Sequence, residues 1–277
     1  MNSQVTKMKE KEIKKLVREG YAKIAKKDSS CCTHNICNES NSSTENISKK
    51  IGYTAEELET VPEGANLGLG CGNPVALASL KEGETVLDLG SGAGFDSFLV
   101  AKKVGENGRV IGVDMTKEMI EKAKENAEKG DYKNIEFRFG EIEKLPIADN
   151  TIDVVISNCV VNLSPNKRRV FQEIFRVLKP GGRIAISDIA LLKELPEKIK
   201  ESTDAYVGCV AGAILIDKYR KIVEISGLKD IVITVKNSSA CIDDDTKDPI
   251  GRDILNRLGE NESLEGYVVS VYIEGYK

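Results

Sequence analysis

The sequence predicts an α/β fold in which helices cover both faces of a doubly wound, mostly parallel sheet. Between Glu84 and Asp188, short apolar runs typical of buried strands alternate with amphipathic stretches of helical period. The run Leu178-Lys179-Pro180-Gly181-Gly182 ends the last of these helices and precedes another apolar run. Because crossovers between parallel strands are right-handed, this alternation gives a doubly wound arrangement.

The individual elements follow from that alternation. Five strands are predicted in this region, at Thr85–Leu89, Val110–Asp114, Ile135–Phe139, Val154–Ser157 and Arg183–Asp188. The helices are predicted at Phe95–Val104, Lys117–Lys129 and Lys167–Leu178. Beyond Ala190 the sequence predicts a helical stretch, a helix at Asp217–Ser226, and two late strands at Ile231–Val235 and Tyr267–Ile273.

The residues before Glu84 are less regular. Apolar side chains at helical spacing predict an amphipathic helix over Lys9–Lys27. The segment Asp28–Lys50 is rich in Ser and Asn, and we expect a long loop there. A short helix is predicted to begin at Thr54, with Glu57 completing a capping box. Four glycines and two prolines in Pro62–Pro74 predict irregular backbone that can approach a ligand closely.

These patterns divide the chain into three regions. Residues 1–75 form an N-terminal extension made of a helix and a cysteine-bearing loop. Residues 76–190 form the α/β core. Residues 191–277 form a small region that covers the substrate and supplies the final strands.

Composition excludes several function classes. The chain has 277 residues, of which 40% are apolar and 30% charged, and its net charge of −4 argues against a nucleic-acid-binding protein. Its longest uncharged stretch of note, Val207–Ile216, is too short to cross a membrane, and the N-terminus has no apolar signal region. We therefore expect a cytoplasmic protein with neither nucleic-acid nor membrane partners. A single histidine, His34, argues against a histidine-based zinc enzyme or catalytic triad.

A glycine loop follows the first core strand in the run VLDLGSGAGFD. Its spacing is G-x-G-x-G, and the third glycine of a dinucleotide-binding G-x-G-x-x-G loop would fall at Phe95. Asp88 on the strand suits a positively charged ligand, and Gly90 and Gly92 let backbone wrap closely around it. The following helix N-terminus can receive a carboxylate. A sulfonium-bearing amino acid nucleoside fits these demands better than a pyrophosphate does.

Three further strand ends are predicted to meet this loop. Asp114 ends the second strand, where an acidic residue typically accepts hydrogen bonds from ribose hydroxyls. Gly140–Pro146 follows the third strand, where an adenine edge would lie, and Asn158 ends the fourth. Any one of these could be an ordinary loop residue, but four such positions on successive strands favour a ligand site.

These motifs resemble those of the class I S-adenosylmethionine-dependent methyltransferases. The resemblance covers VLDLGSGAGFD, GVDMT, GEIEKLP and LKPGGRIAISD. It implies a seven-stranded, Rossmann-like sheet whose last strand is antiparallel, with S-adenosylmethionine as cofactor. The cofactor contacts that it implies are Asp88, Gly90, Ser91, Gly92, Asp114, Met115, Glu141, Ile142 and Asn158.

The cysteine contexts are more specific than the glycine loop. Seven cysteines are present, and the runs EGANLGLGCGNP, SNCVVNLSPNK and YVGCVAGAI, with the pair Cys31-Cys32, resemble arsenite S-adenosylmethionine methyltransferases. That resemblance implies methylation of trivalent arsenic, as arsenite or methylarsenite, with Cys159 and Cys209 as its chief ligands and Cys71 as a third. It also implies that Cys71 alternates between binding arsenic and forming a disulfide with Cys32 or Cys31, with Cys32 among the catalytic residues. Cys37 and Cys241 receive no role.

The chemistry is coherent with this resemblance. Trivalent arsenic is soft and prefers thiolate sulfur to nitrogen or oxygen. Its lone pair can attack a sulfonium methyl directly, so no general base is required. Methyl transfer oxidises arsenic, and cysteines could return the electrons by forming a disulfide that thioredoxin or glutathione then reduces.

Three alternatives stay open on the sequence alone. The first is a class I methyltransferase acting on an organic acceptor such as a quinone or a sterol-like carbon. The second is a metalloid-binding protein without enzymatic activity, against which the intact cofactor motif argues. The third, a minor one, is a structural zinc site formed by Cys31, Cys32, His34 and Cys37, whose spacing is not that of standard zinc arms.

Overall fold

The computed structural model describes residues 10–27, 37–236, 254–258 and 263–277. Within these ranges, seven strands form one sheet in the order β3-β2-β1-β4-β5-β7-β6. The strands are β1 Thr85–Leu89, β2 Arg109–Asp114, β3 Ile135–Phe139, β4 Ile152–Asn158, β5 Leu178–Leu191, β6 Lys229–Lys236 and β7 Val268–Tyr276. All pairs are parallel except those of β7, which runs antiparallel to both β5 and β6. The predicted α/β class, doubly wound with an antiparallel last strand, is confirmed.

Helices flank the sheet and precede it. Their bounds are α1 Glu10–Lys27, α2 Cys37–Lys50, α3 Ala55–Glu59, α4 Pro74–Leu77, α5 Phe95–Val104, α6 Lys117–Lys129, α7 Lys167–Val177, α8 Glu197–Lys200, α9 Thr203–Val207 and α10 Ile216–Ile225. The predicted bounds of β1, β3, α5 and α6 are reproduced without a shift, and the capping box between Thr54 and Glu57 is present. Strands β4, β5, β6 and β7 are each longer than predicted.

The prediction of a loop over Asp28–Lys50 is wrong for its second half, because Cys37–Lys50 forms helix α2. Serine and asparagine have low helix propensity, but tertiary contacts override that preference. The Ser48 hydroxyl donates to the Thr44 carbonyl and to Asn66 Oδ1, 3.0 Å away, and Ser48 itself is buried. Residues 28–36, with Cys31, Cys32 and His34, lie outside the described residues.

The strand order places a ligand-binding edge at the centre of the sheet. Strands β2 and β3 extend from β1 to one side, and β4, β5, β7 and β6 extend to the other. Ligands of open α/β sheets bind beyond the carboxyl ends of the strands where the order reverses. In this chain that point lies between β1 and β4.

Helix α1 lies across this edge. Lys14 forms ion pairs with Glu141 and Glu143, at 2.8 and 3.1 Å, in the segment that follows β3. Gly20 packs so closely on α9 that a Cβ atom there would lie 2.9 Å from Val207 Cγ1. The N-terminal extension therefore forms one wall of the edge. In the described part of the chain, no helix is both long enough and apolar enough to span a membrane.

The core between the sheet and its helices is dense. Phe171 on α7 and Tyr219 on α10 are almost fully buried, and their rings meet edge to face with centroids 5.9 Å apart. Strand residues Leu87 and Leu89 are fully buried in the same cluster. This cluster fixes β1 and β4, and with them the central binding edge.

Truncating Phe171 to alanine should lower the free energy of unfolding by about 3–5 kcal/mol, because it leaves a cavity among buried side chains. Phe139→Ala is the matched control: that ring is 49% exposed, and the change should cost about 0.5 kcal/mol or less. Urea unfolding of both variants measures the difference. Equal losses would contradict this account of the core.

Candidate active site

A cavity opens at the carboxyl ends of β1, β2 and β4, where the strand order predicts it. Its walls come from the glycine loop after β1, the ends of β2 and β4, the loop before Cys71, and helix α1. The residues singled out in the sequence that line it are Asp88, Gly90, Ser91, Gly92, Asp114, Met115, Ile142, Asn158 and Cys159. Most of the predicted cofactor contacts are therefore brought to one cavity.

The glycine loop has a conformation that glycine alone adopts easily. Gly90 and Gly92 have φ values of 67° and 52°. A Cβ atom on Gly90 would lie 2.3 Å from Val160 Cγ2, so any larger residue would displace the chain after β4. The amides of Gly90 and Ser91 donate to the Val113 carbonyl, which ties the loop to β2. The loop is therefore held in place by the sheet.

Asp88 is a buried carboxyl group behind this loop. It accepts a hydrogen bond from the Ser97 hydroxyl at 2.6 Å. Burial raises the pKa of Asp88 to about 8, and the nearby Asp96 carboxylate adds to the rise. Burial also raises the pKa of Asp96 to about 6, although Tyr53 and Asn158 donate hydrogen bonds to it. Such a pair favours a positively charged group in the cavity.

Asp114 sits at the end of β2 with its carboxylate oriented by backbone. Its oxygens accept hydrogen bonds from the amides of Gly92, at 3.0 Å, and Thr116, at 2.8 Å. Burial raises the pKa of Asp114, and these backbone donors oppose the rise. The carboxylate faces the cavity with spare acceptor capacity, as a site for ribose hydroxyls requires.

The structure places Glu141 differently from its neighbours. Its carboxylate forms ion pairs with Lys14 and Arg18 on α1, and it does not line the cavity, whereas Ile142 does. Glu143 lines the cavity instead and accepts a 2.6 Å hydrogen bond from Ser164. A contact of Glu141 with a cofactor stays a prediction.

Three buried thiols lie at the cavity wall or next to it. Cys71, Cys159 and Cys209 are each buried, and no disulfide joins any two of them. The sulfur atoms of Cys71 and Cys159 and a carboxylate oxygen of Asp188 all lie within 4.8 Å of one another. Cys209 is next to them and donates a hydrogen bond from Sγ to the Cys159 carbonyl at 2.9 Å. The three predicted arsenic ligands thus converge in space.

The backbone at two of these thiols is strained. Cys159 and Cys209 have φ values of 59° and 66°, in the left-handed region that residues other than glycine seldom adopt. Such outliers cluster at functional sites, where the surrounding structure enforces them. Burial raises the pKa of the Cys159 thiol well above its usual range, and its thiol neighbours add to the rise.

Cys71 is held in place by Asn158 at the end of β4. Asn158 Oδ1 accepts from the Cys71 amide at 2.9 Å, and its Nδ2 donates to the Gly72 carbonyl at 2.8 Å. At Gly70, a Cβ atom would lie 2.7 Å from Asn158 Nδ2, so the close approach requires glycine there. Asn158 thus joins the cavity to the thiol group.

Several residues at the site escaped the sequence reasoning. Lys14 and Tyr21 line the cavity, and Asp188 contacts the thiol group. Glu143 also lines the cavity; it belongs to the predicted segment Gly140–Pro146 but was not among the predicted contacts. The Tyr21 hydroxyl lies 3.9 Å from Cys209 Sγ. Asp188 could have been identified from its position in the motif ISD, at the end of a predicted strand. Lys14 and Tyr21 could not, because helical periodicity in a sequence does not indicate what the helix packs against.

Some predicted residues cannot be located. Cys32, Cys31 and Cys241 lie outside the described residues, and nothing is described of the Cys37 side chain. The predicted pairing of Cys71 with Cys32 or Cys31 therefore stays a prediction.

Comparisons with known proteins give methyltransferases, in agreement with this geometry. Residues 80–227 match the model of a family described as a methyltransferase domain. An arsenite methyltransferase from Halobacterium salinarum is 44% identical over 275 residues, covering 96% of this chain and 67% of that protein. An arsenite methyltransferase from Homo sapiens is 34% identical over 75% of this chain and 56% of its own length. The chain therefore spans about two thirds of one relative and little more than half of the other.

A similar protein of known structure has the same named activity as these two relatives. The crystal structure of an arsenic(III) S-adenosylmethionine methyltransferase from Chlamydomonas reinhardtii matches with a TM-score of 0.60 and 32% identity, over 84% of this chain and 73% of that one. Fold, glycine loop and family model together make this chain a methyltransferase of the doubly wound class. Within that class, it belongs to the arsenite methyltransferase family.

The buried Asp88 predicts a pH-dependent stability. In the folded state the pKa of Asp88 is about 8, whereas in the unfolded state it is near 4. Between pH 4 and pH 8, Asp88 is therefore protonated in the folded state and ionised in the unfolded state. Raising the pH from 5 to 7 should therefore cost the wild-type chain up to ~1.4 kcal/mol per pH unit relative to Asp88→Asn. Urea unfolding of both chains at pH 5, 6 and 7 measures this. A difference that stays constant with pH would contradict it.

Proposed function

We propose that the chain transfers a methyl group from S-adenosylmethionine to trivalent arsenic held by cysteine thiolates. One observation carries the proposal: Cys159 lines the cavity that contains the glycine loop and also belongs to the thiol group with Cys71. A predicted ligand of trivalent arsenic thus lies at the boundary of the predicted methyl-donor site. The names of the relatives, arsenite methyltransferase and arsenic(III) S-adenosylmethionine methyltransferase, support the same substrate.

The residues of the cavity fit the proposed cofactor. Ser91 Oγ is buried and has no hydrogen-bond partner among the described residues, so it is available to a ligand. Asp114 has acceptor capacity for ribose hydroxyls, and Asp88 lies where positive charge would be favoured. S-adenosylmethionine, when bound, supplies a methyl group on a sulfonium sulfur.

The chain's own groups then position the acceptor. Cys71, Cys159 and Cys209 exchange for the hydroxyls of arsenite, and each thiol proton leaves with a hydroxide as water. This exchange avoids an isolated buried thiolate, which the raised pKa of Cys159 disfavours. Arsenic held by these cysteines would attack the methyl carbon with its lone pair, so no general base would be needed. Positioning supplies the acceleration, because well-oriented reactants reach effective molarities on the order of 10⁵–10⁸ M.

The thiols also account for the change in oxidation state. Methyl transfer takes arsenic from the trivalent to the pentavalent state, and its return requires two electrons. Two cysteine thiols supply them by forming a disulfide and releasing two protons, and thioredoxin or glutathione then reduces the disulfide. Arsenic detoxification in the cytoplasm is the role that this activity would serve.

An assay with S-adenosylmethionine, arsenite and a thiol reductant should yield methylated arsenic, separated and counted by elemental mass spectrometry. Cys159→Ser and Cys209→Ser should each lower the rate by about 100-fold or more, because the soft ligand is lost at the reacting centre. Cys241→Ser is the matched control and should keep the wild-type rate. Absence of any methylated arsenic would reject the proposed function, and full activity in both site variants would favour an organic acceptor.

The redox step is tested separately. After a single turnover without reductant, alkylation and peptide mass mapping should find Cys71 in a disulfide with Cys32 or Cys31. Cys71→Ser should then leave the partner cysteine alkylated. If turnover leaves every cysteine reduced, the electrons come from outside the chain and this part of the proposal fails.

A further inference from the structure

The carboxyl group of Asp188 places an oxygen atom next to the sulfur atoms of the thiol group. A carboxylate oxygen of Asp188 lies within 4.8 Å of both Cys71 Sγ and Cys159 Sγ, and all three residues are buried. Cys209 is not part of this group of three, and its Sγ donates a hydrogen bond to the Cys159 carbonyl. The space enclosed is therefore bounded by two sulfurs and one carboxyl group.

The carboxyl group is fixed in place by donors on its far side. Its Oδ1 accepts from Asn162 Nδ2 and from the Ile189 amide, each at 2.9 Å. Its Oδ2 accepts from the Tyr219 hydroxyl at 2.9 Å. Since each oxygen can accept two hydrogen bonds, Oδ1 is filled and Oδ2 keeps one free position. When the carboxyl group is ionised, this position on Oδ2, to which no other described residue donates, is a hydrogen-bond acceptor.

Arsenite bound by two thiols presents the matching donor. Exchange with Cys71 and Cys159 converts As(OH)₃ into a dithiolate that keeps one hydroxyl, and the two thiol protons leave as two waters. The oxidation state of arsenic is unchanged. Oxygen is a weak competitor to thiolate for trivalent arsenic, so a carboxylate suits the hydroxyl hydrogen better than the arsenic itself.

We propose that Asp188 accepts a hydrogen bond from the hydroxyl left on arsenic after Cys71 and Cys159 have bound it and before Cys209 displaces that hydroxyl. This inference rests on the proposed function and assigns Asp188 as a specificity-determining residue of its substrate site. It makes the two-thiolate site prefer arsenite to arsenicals that carry carbon in place of the last hydroxyl. Methylarsenite held by the same two thiols has no hydroxyl left to donate.

The test uses Cys209→Ser as the background, because a third thiol could displace the hydroxyl in question. In that chain, Asp188→Asn should weaken arsenite binding about tenfold while methylarsenite binding stays unchanged. Asn162 and the Ile189 amide both donate to the Oδ1 position, so the side-chain oxygen of the new asparagine should occupy it. The NH₂ group then occupies the Oδ2 position, where a donor replaces the free acceptor. Equilibrium dialysis with a phosphine reductant, which competes for no thiol site, measures both affinities by elemental mass spectrometry.

A structural defect would affect both arsenicals alike, so the ratio of affinities separates the two explanations. Glu173→Gln, which alters a buried carboxylate paired with Arg176, is the matched control and should change neither affinity. If Asp188→Asn does not fold, Asp188→Ala gives the same ratio test. Equal losses for both arsenicals, or no loss for either, would overturn the role of Asp188.

The same measurements distinguish a failure of the proposed function from a failure of the inference about Asp188. A wild-type chain that binds neither arsenical would reject thiolate binding of arsenic altogether. A wild-type chain that binds both, with a Cys209→Ser chain that binds neither, would overturn the two-thiolate site and the inference with it.

Discussion

One side-chain amide connects the two halves of this site. Asn158 accepts from the Cys71 amide, donates to the Gly72 carbonyl, and also reaches the Tyr53 hydroxyl and the Asp96 carboxylate. It can do so because β4 ends beside β1, at the reversal of strand order, where chain segments distant in sequence meet. This amide thereby ties the Cys71 loop to the end of β4, the strand that precedes Cys159.

The chemistry of the site depends on burial combined with selective hydrogen bonding. Asp88, Asp96 and Asp188 are all buried, and burial raises the pKa of each carboxyl group. Each nevertheless accepts a hydrogen bond from a hydroxyl, donated by Ser97, Tyr53 and Tyr219 respectively. The site therefore holds carboxyl groups that are oriented by hydrogen bonds, and the positive charge of Lys167 acts on Asp188.

Much of this arrangement could be predicted from the sequence, and the reason is periodicity. Strand β1 and helix α5 were placed without error because an apolar run, a glycine loop and an amphipathic period coincide there. The thiols at 71, 159 and 209 were selected by their local sequence contexts, and the fold brings them together. Helix α2 was missed because Asn66, which lies outside the helix, stabilises it by accepting a hydrogen bond from Ser48, and no local pattern records such a contact. Asp188 and Tyr21 were missed for the same reason: their importance depends on which residues from distant elements surround them.

The left-handed backbone at Cys159 and Cys209 has an evolutionary consequence. For a residue with a Cβ atom this conformation costs roughly 1–2 kcal/mol, a cost that glycine does not carry. Mutation to glycine at either position would therefore relieve conformational strain while removing a soft ligand. Selection for stability alone would drive the thiols out of these positions, so only a persistent need for their sulfur can retain them. Under the proposed function, stability and activity therefore favour different residues at these two positions of the chain.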